Sequence, residues 1–168
     1  GVYATCTVRT VYRDVAVLKS ANVKFDGLIH LFFTYDLTGI KEKNRNGLYV
    51  AFRMDNHLLK KCSLDDYSNS ETIEAEDGSH FLAKYTCPVP IAHYSDMINI
   101  RMEDADGNEI PTVTSKGYVV EDGYDYALND YAENKIQTGS EKMKRLAQAL
   151  KDYGIAALQY LGQDTGGQ

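Results

Sequence analysis

The chain has 168 residues, a formal net charge of −6, and a globular mix of 43% hydrophobic and 25% charged residues. That is the size of one domain with room for a core of its own. Its acidic balance argues against nucleic acid or an anionic membrane surface as partner, because both call for a basic face.

Residues 2–20 (VYATCTVRTVYRDVAVLKS) alternate at strand period, with Val2, Ala4, Cys6, Val8 and Thr10 on one parity. Arg13-Asp14 marks a bend, 15–18 a second short strand, 22–24 an extended stretch, and Asp26-Gly27 a turn. Residues 28–37 (LIHLFFTYDL) are apolar on both parities, which predicts a central strand buried on both faces. This run falls short of the roughly 18 residues of a membrane span, so no membrane insertion is expected. The polar loop 41–47 ends in Asn46-Gly47, a strong hairpin signal. Residues 48–54 read as a strand, Asp55-Asn56 as its turn, and 57–64 as its partner. The segment 65–79 reads as a polar connection closing at Asp77-Gly78. Strands are predicted over 80–89, ended by Pro88 and Pro90, and over 97–104 and 109–120. Short strands joined by turns predict an antiparallel, Ig-like β-sandwich of about seven to nine strands.

After Gly123 the pattern changes. A helix is predicted from about 126 to 137, with Tyr124, Leu128, Tyr131 and Ile136 on its apolar stripe and Thr138-Gly139 as its stop. Ser140 is a favourable N-cap for a second helix over about 140–161, and Glu141 suits its positive end. Apolar residues recur there at Met143, Leu146, Ala147, Leu150, Tyr153, Gly154, Ala157, Tyr160 and Leu161, and Gly162 reads as the C′ residue. Small residues in this stripe allow another backbone to come close, so internal packing is expected. A membrane-surface helix would carry a denser Lys/Arg face. The expected organisation is one mainly β domain over 1–162, with strands over about 2–120, two C-terminal helices packed on them, and a tail at 163–168.

The three cysteines, Cys6, Cys62 and Cys87, form no C-x-x-C motif and read as small buried hydrophobes. A Cys62–Cys87 disulfide is the alternative in an oxidising compartment. None of the four histidines stands at H-x-x-x-H spacing. His30 reads as a buried neutral imidazole, and His57 and His80 as surface residues. No nucleophile elbow, dinucleotide fingerprint or phosphate loop is present, so no catalytic residue is assigned. A Cys–His nucleophile at Cys62 or Cys87 has no local support. The acidic pairs Asp65-Asp66 and Glu121-Asp122 read as solvated charge rather than as glycosidase carboxylates. Residues 104–109 (DADGNE) open like a calcium loop, which makes Asp104, Asp106 and Asn108 a candidate calcium site. The later Gly and Glu of an EF-hand are missing, and a tight hairpin with Gly107 at positive φ is the plainer reading. Among 13 tyrosines, Tyr118, Tyr124 and Tyr126 gather at the junction of strands and helix, with Asp122 beside them. These four are the candidate ligand-binding residues: a platform for sugar rings, or the seam where the helices dock.

Two stretches carry a resemblance. The first is ANVKFDGLIHLFFTYDL with the following LYVAFRMDNHLLKKCSL, and the second is DYALNDYAENKIQTGSEKMKRLAQALKDYGIAALQYLG. Together they resemble a recurring C-terminal unit of large surface or secreted proteins of gut clostridia. In that unit an "IGVNFYMDL"-type strand precedes a hairpin, a "YSVKDYA" segment follows, and an "LVKAMLNYGAYAQLYFGY"-type helix ends it. Here LIHLFFTYDL lacks the Gly-Val-Asn of the pattern. The resemblance covers most of 20–162 and implies an extracellular accessory module within a longer polypeptide of a Gram-positive gut bacterium. It supplies no catalytic residues. No signal peptide is visible after Gly1, so an export signal or neighbouring domain is expected outside this chain.

The functional expectation is a non-catalytic extracellular module for adhesion or glycan binding, with a glycan or a host or bacterial surface protein as partner. The alternatives are a hydrolase or transferase with an unfamiliar site around His30, Cys87 or the loop acids, and a purely structural spacer.

Overall fold

A computed structural model describes residues 14–26, 28–63 and 71–166. The strand expected over 2–12, Cys6, Gly27 and the Asp65-Asp66 pair lie outside the described residues. The described elements run β1 (Ala16–Asp26), β2 (Leu28–Asp36), β3 (Tyr49–Met54), β4 (His57–Ser63), β5 (Glu71–Ala75), β6 (Gly78–Pro88), β7 (Ile98–Glu103), β8 (Thr112–Thr114), β9 (Val119–Val120), β10 (Tyr124–Tyr126), α1 (Leu128–Thr138) and α2 (Glu141–Gly166). They form a six-stranded sheet in the order β5-β6-β2-β1-β8-β9 and a four-stranded sheet in the order β10-β7-β3-β4. Pairing is antiparallel except where β1 meets β8. The fold is mainly β, with two helices at the end.

The core sits between the sheets. Alternation on β2 turns Leu31, Phe33 and Tyr35 inward, and all three are buried. Phe33 meets Phe52 of β3 at a ring distance of 5.8 Å, which ties the large sheet to the small one. Val50 on β3 and Ile98, Ile100 and Met102 on β7 complete the facing layer. β2 is central, as its two-sided apolarity predicts, but its outer face carries the half-buried His30 and Phe32.

Several local expectations hold. Asp55 and Asn56 both take positive φ, 50° and 65°, as a tight two-residue hairpin between β3 and β4 requires. The Ser140 hydroxyl accepts the Met143 N–H at 3.3 Å and caps α2.

Others are corrected. Asn46-Gly47 closes no hairpin: β2 and β3 belong to different sheets, and Gly47, at φ 80°, ends the loop crossing between them. Residues 16–26 make one continuous strand with an irregularity between Leu18 and Ser20, rather than two pieces. β5 lies inside the segment read as a polar connection. Every residue of this edge strand is exposed, so it has no apolar alternation to reveal it. Tyr124 and Tyr126 belong to a strand paired with β7, and the helix begins only at Leu128. Its start is fixed by Asp130, whose carboxylate accepts the Ala127 N–H at 3.0 Å. Helix α2 passes through Gly162 and runs to Gly166. A helix-interior glycine costs only about 1 kcal/mol relative to alanine, and no proline follows to force a stop.

Helix α2 packs against α1 and against the turn at Ile91–His93. Ala147, Leu150 and Gly154 are buried on its inner face, whereas Leu146 and Tyr153 are exposed. Gly154 lies directly on the Tyr94 ring, so a Cβ there would run into ring carbons. No helix among the described residues is long and apolar enough to cross a membrane.

Candidate binding groove

Where β8 stops pairing, β1 has no further neighbour on that side among the described residues, and a groove of about 1090 Å³ opens beside it. One wall is the β1 stretch from Leu18 to Asn22. The other comes from the β8–β9 turn and β10, and Asn134 of α1 lies at its end. Three of the four residues singled out from sequence meet here: Tyr118, Tyr124 and Tyr126. Tyr118 is 70% exposed and stands at the rim beside the 69% exposed Val119. Residues two apart on a strand share a face, so Tyr124 and Tyr126 stack, with ring centroids 6.2 Å apart and planes 22° apart. Tyr126 is anchored from behind by the edge of Phe33, at 6.1 Å. Burial pushes its hydroxyl pKa well above the ordinary range. Lys19, Lys116, Glu121 and Asp125 all line the groove, so its formal charges balance.

Asp122 is not in this groove. It lines a second hollow, of about 660 Å³, on the other face of β10. The turn between the two is held from both sides. Asp122 and Gly123 take positive φ, 55° and 82°, and present successive N–H groups to the Glu109 carboxylate at 2.9 and 2.6 Å. From the other side, the Asn99 amide donates to the Asp122 carbonyl at 2.8 Å and to the Asp125 carboxylate at 3.0 Å. A side chain on Gly123 would strike that amide.

Below the turn, Arg53 clasps Glu103 through Nη1–Oε1 at 2.8 Å and Nη2–Oε2 at 3.3 Å, and Glu103 is only 2% exposed. Arg101 lies in ion-pair range of the same carboxylate at 3.8 Å, too far for a hydrogen bond. Its Nε is buried and has no hydrogen-bond partner among the described residues. Sequence reasoning missed Arg53, Asn99, Arg101, Glu103 and Glu109. The one signal was parity: Asn99, Arg101 and Glu103 alternate along β7.

The remaining candidates stand elsewhere. Asp104, Asp106 and Asn108 form a turn closed on itself, with Gly107 at φ 84°. The Asp104 Oδ1 accepts the N–H groups of Asp106 and Asn108, each at 2.9 Å. The backbone bond from Asn108 leads in holding the Asp104 pKa below the usual carboxylate range. No group of three metal-ligating side chains stands together among the described residues.

His30 and Cys87 lie on neighbouring strands but on opposite faces. His30 is opposite Pro88, while Cys87 is opposite the core residue Leu31. His30 is half-buried rather than buried, and burial pushes the Cys87 thiol up to about 11, unfavourable for a nucleophile. Cys62 and Cys87 are both buried.

His80 is half-buried between two carboxylates, with Nδ1 at 2.7 Å from Asp36 and Nε2 at 2.8 Å from Asp77. Hydrogen bonding to Asp77 and then to Asp36 raises its pKa. Set against protein-family models, curated proteins and solved structures, the chain matches none.

Proposed function

We propose that this chain is a non-catalytic, extracellular binding module of Ig-like sandwich type, part of a larger surface or secreted protein, and that its ligand is a glycan. The observation that carries the reading is the open groove walled by Tyr118, Tyr124 and Tyr126. An exposed aromatic at the rim and a stacked pair behind it offer flat apolar faces to sugar rings. The balanced charges around them suit an uncharged ligand. The likeness of the strand and helix segments to surface-protein modules of gut clostridia supports the extracellular setting.

A glycan array, run in calcium and in chelator, tests the reading. Binding is expected in both, because an ion on Asp104 and Asn108 would have to displace the hydrogen bonds that close their turn. Tyr118→Ala removes an exposed ring and leaves the core untouched. It is expected to weaken binding about tenfold, the worth of roughly 1–2 kcal/mol of ring contact, with no change in melting temperature. An array blank under both conditions would leave adhesion to a protein or a spacer role.

A further inference from the structure

We propose that the polar hollow beyond β10 is the second half of the binding surface, and that the ligand is an uncharged oligosaccharide long enough to cross β10 from the tyrosine groove into it. This rests on the glycan reading of the groove.

Continuity comes first. Asp125 lines both depressions, and only the three residues of β10 and the Asp122-Gly123 turn stand between them. That divide is rigid, since Glu109 and Asn99 fix the turn from opposite sides. A pre-formed ridge lets a chain lie across it without first ordering a loop, which is where binding free energy is commonly lost.

The chemistry of the hollow complements that of the groove. The groove offers ring faces. In the hollow the Arg101 guanidinium, a donor, stands beside the Asp122 and Asp125 carboxylates, acceptors, while both N–H groups of the Asn99 amide are taken by the Asp122 carbonyl and the Asp125 carboxylate. A sugar hydroxyl donates once and also accepts, so interleaved donors and acceptors match neighbouring hydroxyls. The Arg101 side chain is 29% exposed, and its Nη2 donates to the Gly107 carbonyl only at the long distance of 3.4 Å, so its outer N–H groups can turn to a ligand oxygen. Acidic ligands fit poorly, because Arg53 and Arg101 share Glu103 while Asp55, Asp122 and Asp125 add negative charge.

Calorimetry with cello-, chito- and manno-oligosaccharides, from disaccharide to hexasaccharide, tests this. Affinity is expected to rise about tenfold once the chain is long enough to reach the hollow, the worth of one or two net hydrogen bonds. Arg101→Ala and, independently, Asp122→Gly, which suits the positive φ of that exposed position, should each remove that increment and leave short-oligomer affinity unchanged. Tyr118→Ala should weaken every length alike. Binding without a length increment, or an increment that survives both hollow variants, overturns the second half of the surface and leaves the groove standing. No binding at any length overturns the glycan reading and this inference together.

Discussion

Two clusters of charge hold strands together in this molecule, and they do so on opposite terms. In the small sheet, Arg53 of β3 grips the buried Glu103 of β7 with two contacts, and Arg101 stands close by. In the large sheet, His80 of β6 is held between Asp36 of β2 and Asp77 of the β5–β6 turn. Arginine keeps its charge at any ordinary pH, so the first cluster is permanent. Histidine titrates near neutrality, so the second is conditional. Burial widens the difference: the Glu103 side chain is 3% exposed and that of Asp77 is 73% exposed. A buried pair is severe when broken, whereas an exposed pair is screened by solvent. The permanent cluster lies beneath the candidate binding surface, where position must not drift, and the conditional one lies at the far edge of the large sheet.

Breaking the permanent cluster should have the largest effect. Arg53→Ala leaves the Glu103 carboxylate buried, with Arg101 too far to donate a hydrogen bond. Loss of about 3 kcal/mol is expected, measured by urea denaturation near neutral pH. Replacing the pair together, by Arg53→Met with Glu103→Leu, should cost much less, because no charge is stranded. A double variant as unstable as the single one would mean that the charge pair does not set the cost.

An uncharged defect sharpens the comparison. Gly154→Ala would ordinarily favour a helix, by about 1 kcal/mol. Here the added methyl meets the Tyr94 ring, and overpacking of this kind costs about 1–3 kcal/mol. The net change is expected to be destabilising and the same at every pH, since no titrating group is removed. A Gly154→Ala protein more stable than the parent would mean that α2 does not dock on Tyr94 as described.

What the sequence revealed and what it hid divide along the same physical lines. A strand with one apolar parity, such as β7, was legible because burial imposes the alternation along Ile98, Ile100 and Met102. The Asp55-Asn56 turn was legible because its positive φ values restrict residue choice. β5 was hidden because an exposed edge strand imposes no pattern, and β10 because three residues are too few to show a period. The tyrosine cluster could be read from proximity along the chain. The placement of Asp122 across β10 from it could not, because that depends on Glu109 and Asn99, which are distant in sequence. The His80 clamp was hidden for the same reason: Asp36 is 44 residues away.

That clamp gives the smallest expected effect and the one with a definite sign. Hydrogen bonds donated to Asp77 and to Asp36 raise the His80 pKa above its ordinary 6.5 in the folded protein. Its contribution to stability is therefore complete below that value and is lost as pH rises through the raised one. The two carboxylates behave in the opposite sense. Burial alone would raise Asp36, but the hydrogen bonds from Thr38 and His80 outweigh it, and the bond to His80 lowers Asp77. Their contributions are complete above the ordinary carboxylate value of 3.8 and are lost as pH falls through the lowered ones. The clamp is thus strongest between about pH 4 and about pH 6.5. His80→Gln keeps the size and polarity of the side chain and removes its titration. The difference in melting temperature between parent and variant is expected to be greatest near pH 6 and to shrink by about pH 8.5. Taking that difference cancels the titration of groups that His80 does not touch. A difference that stays constant from acid to alkaline pH would mean that His80 holds the hairpin by packing rather than by charge.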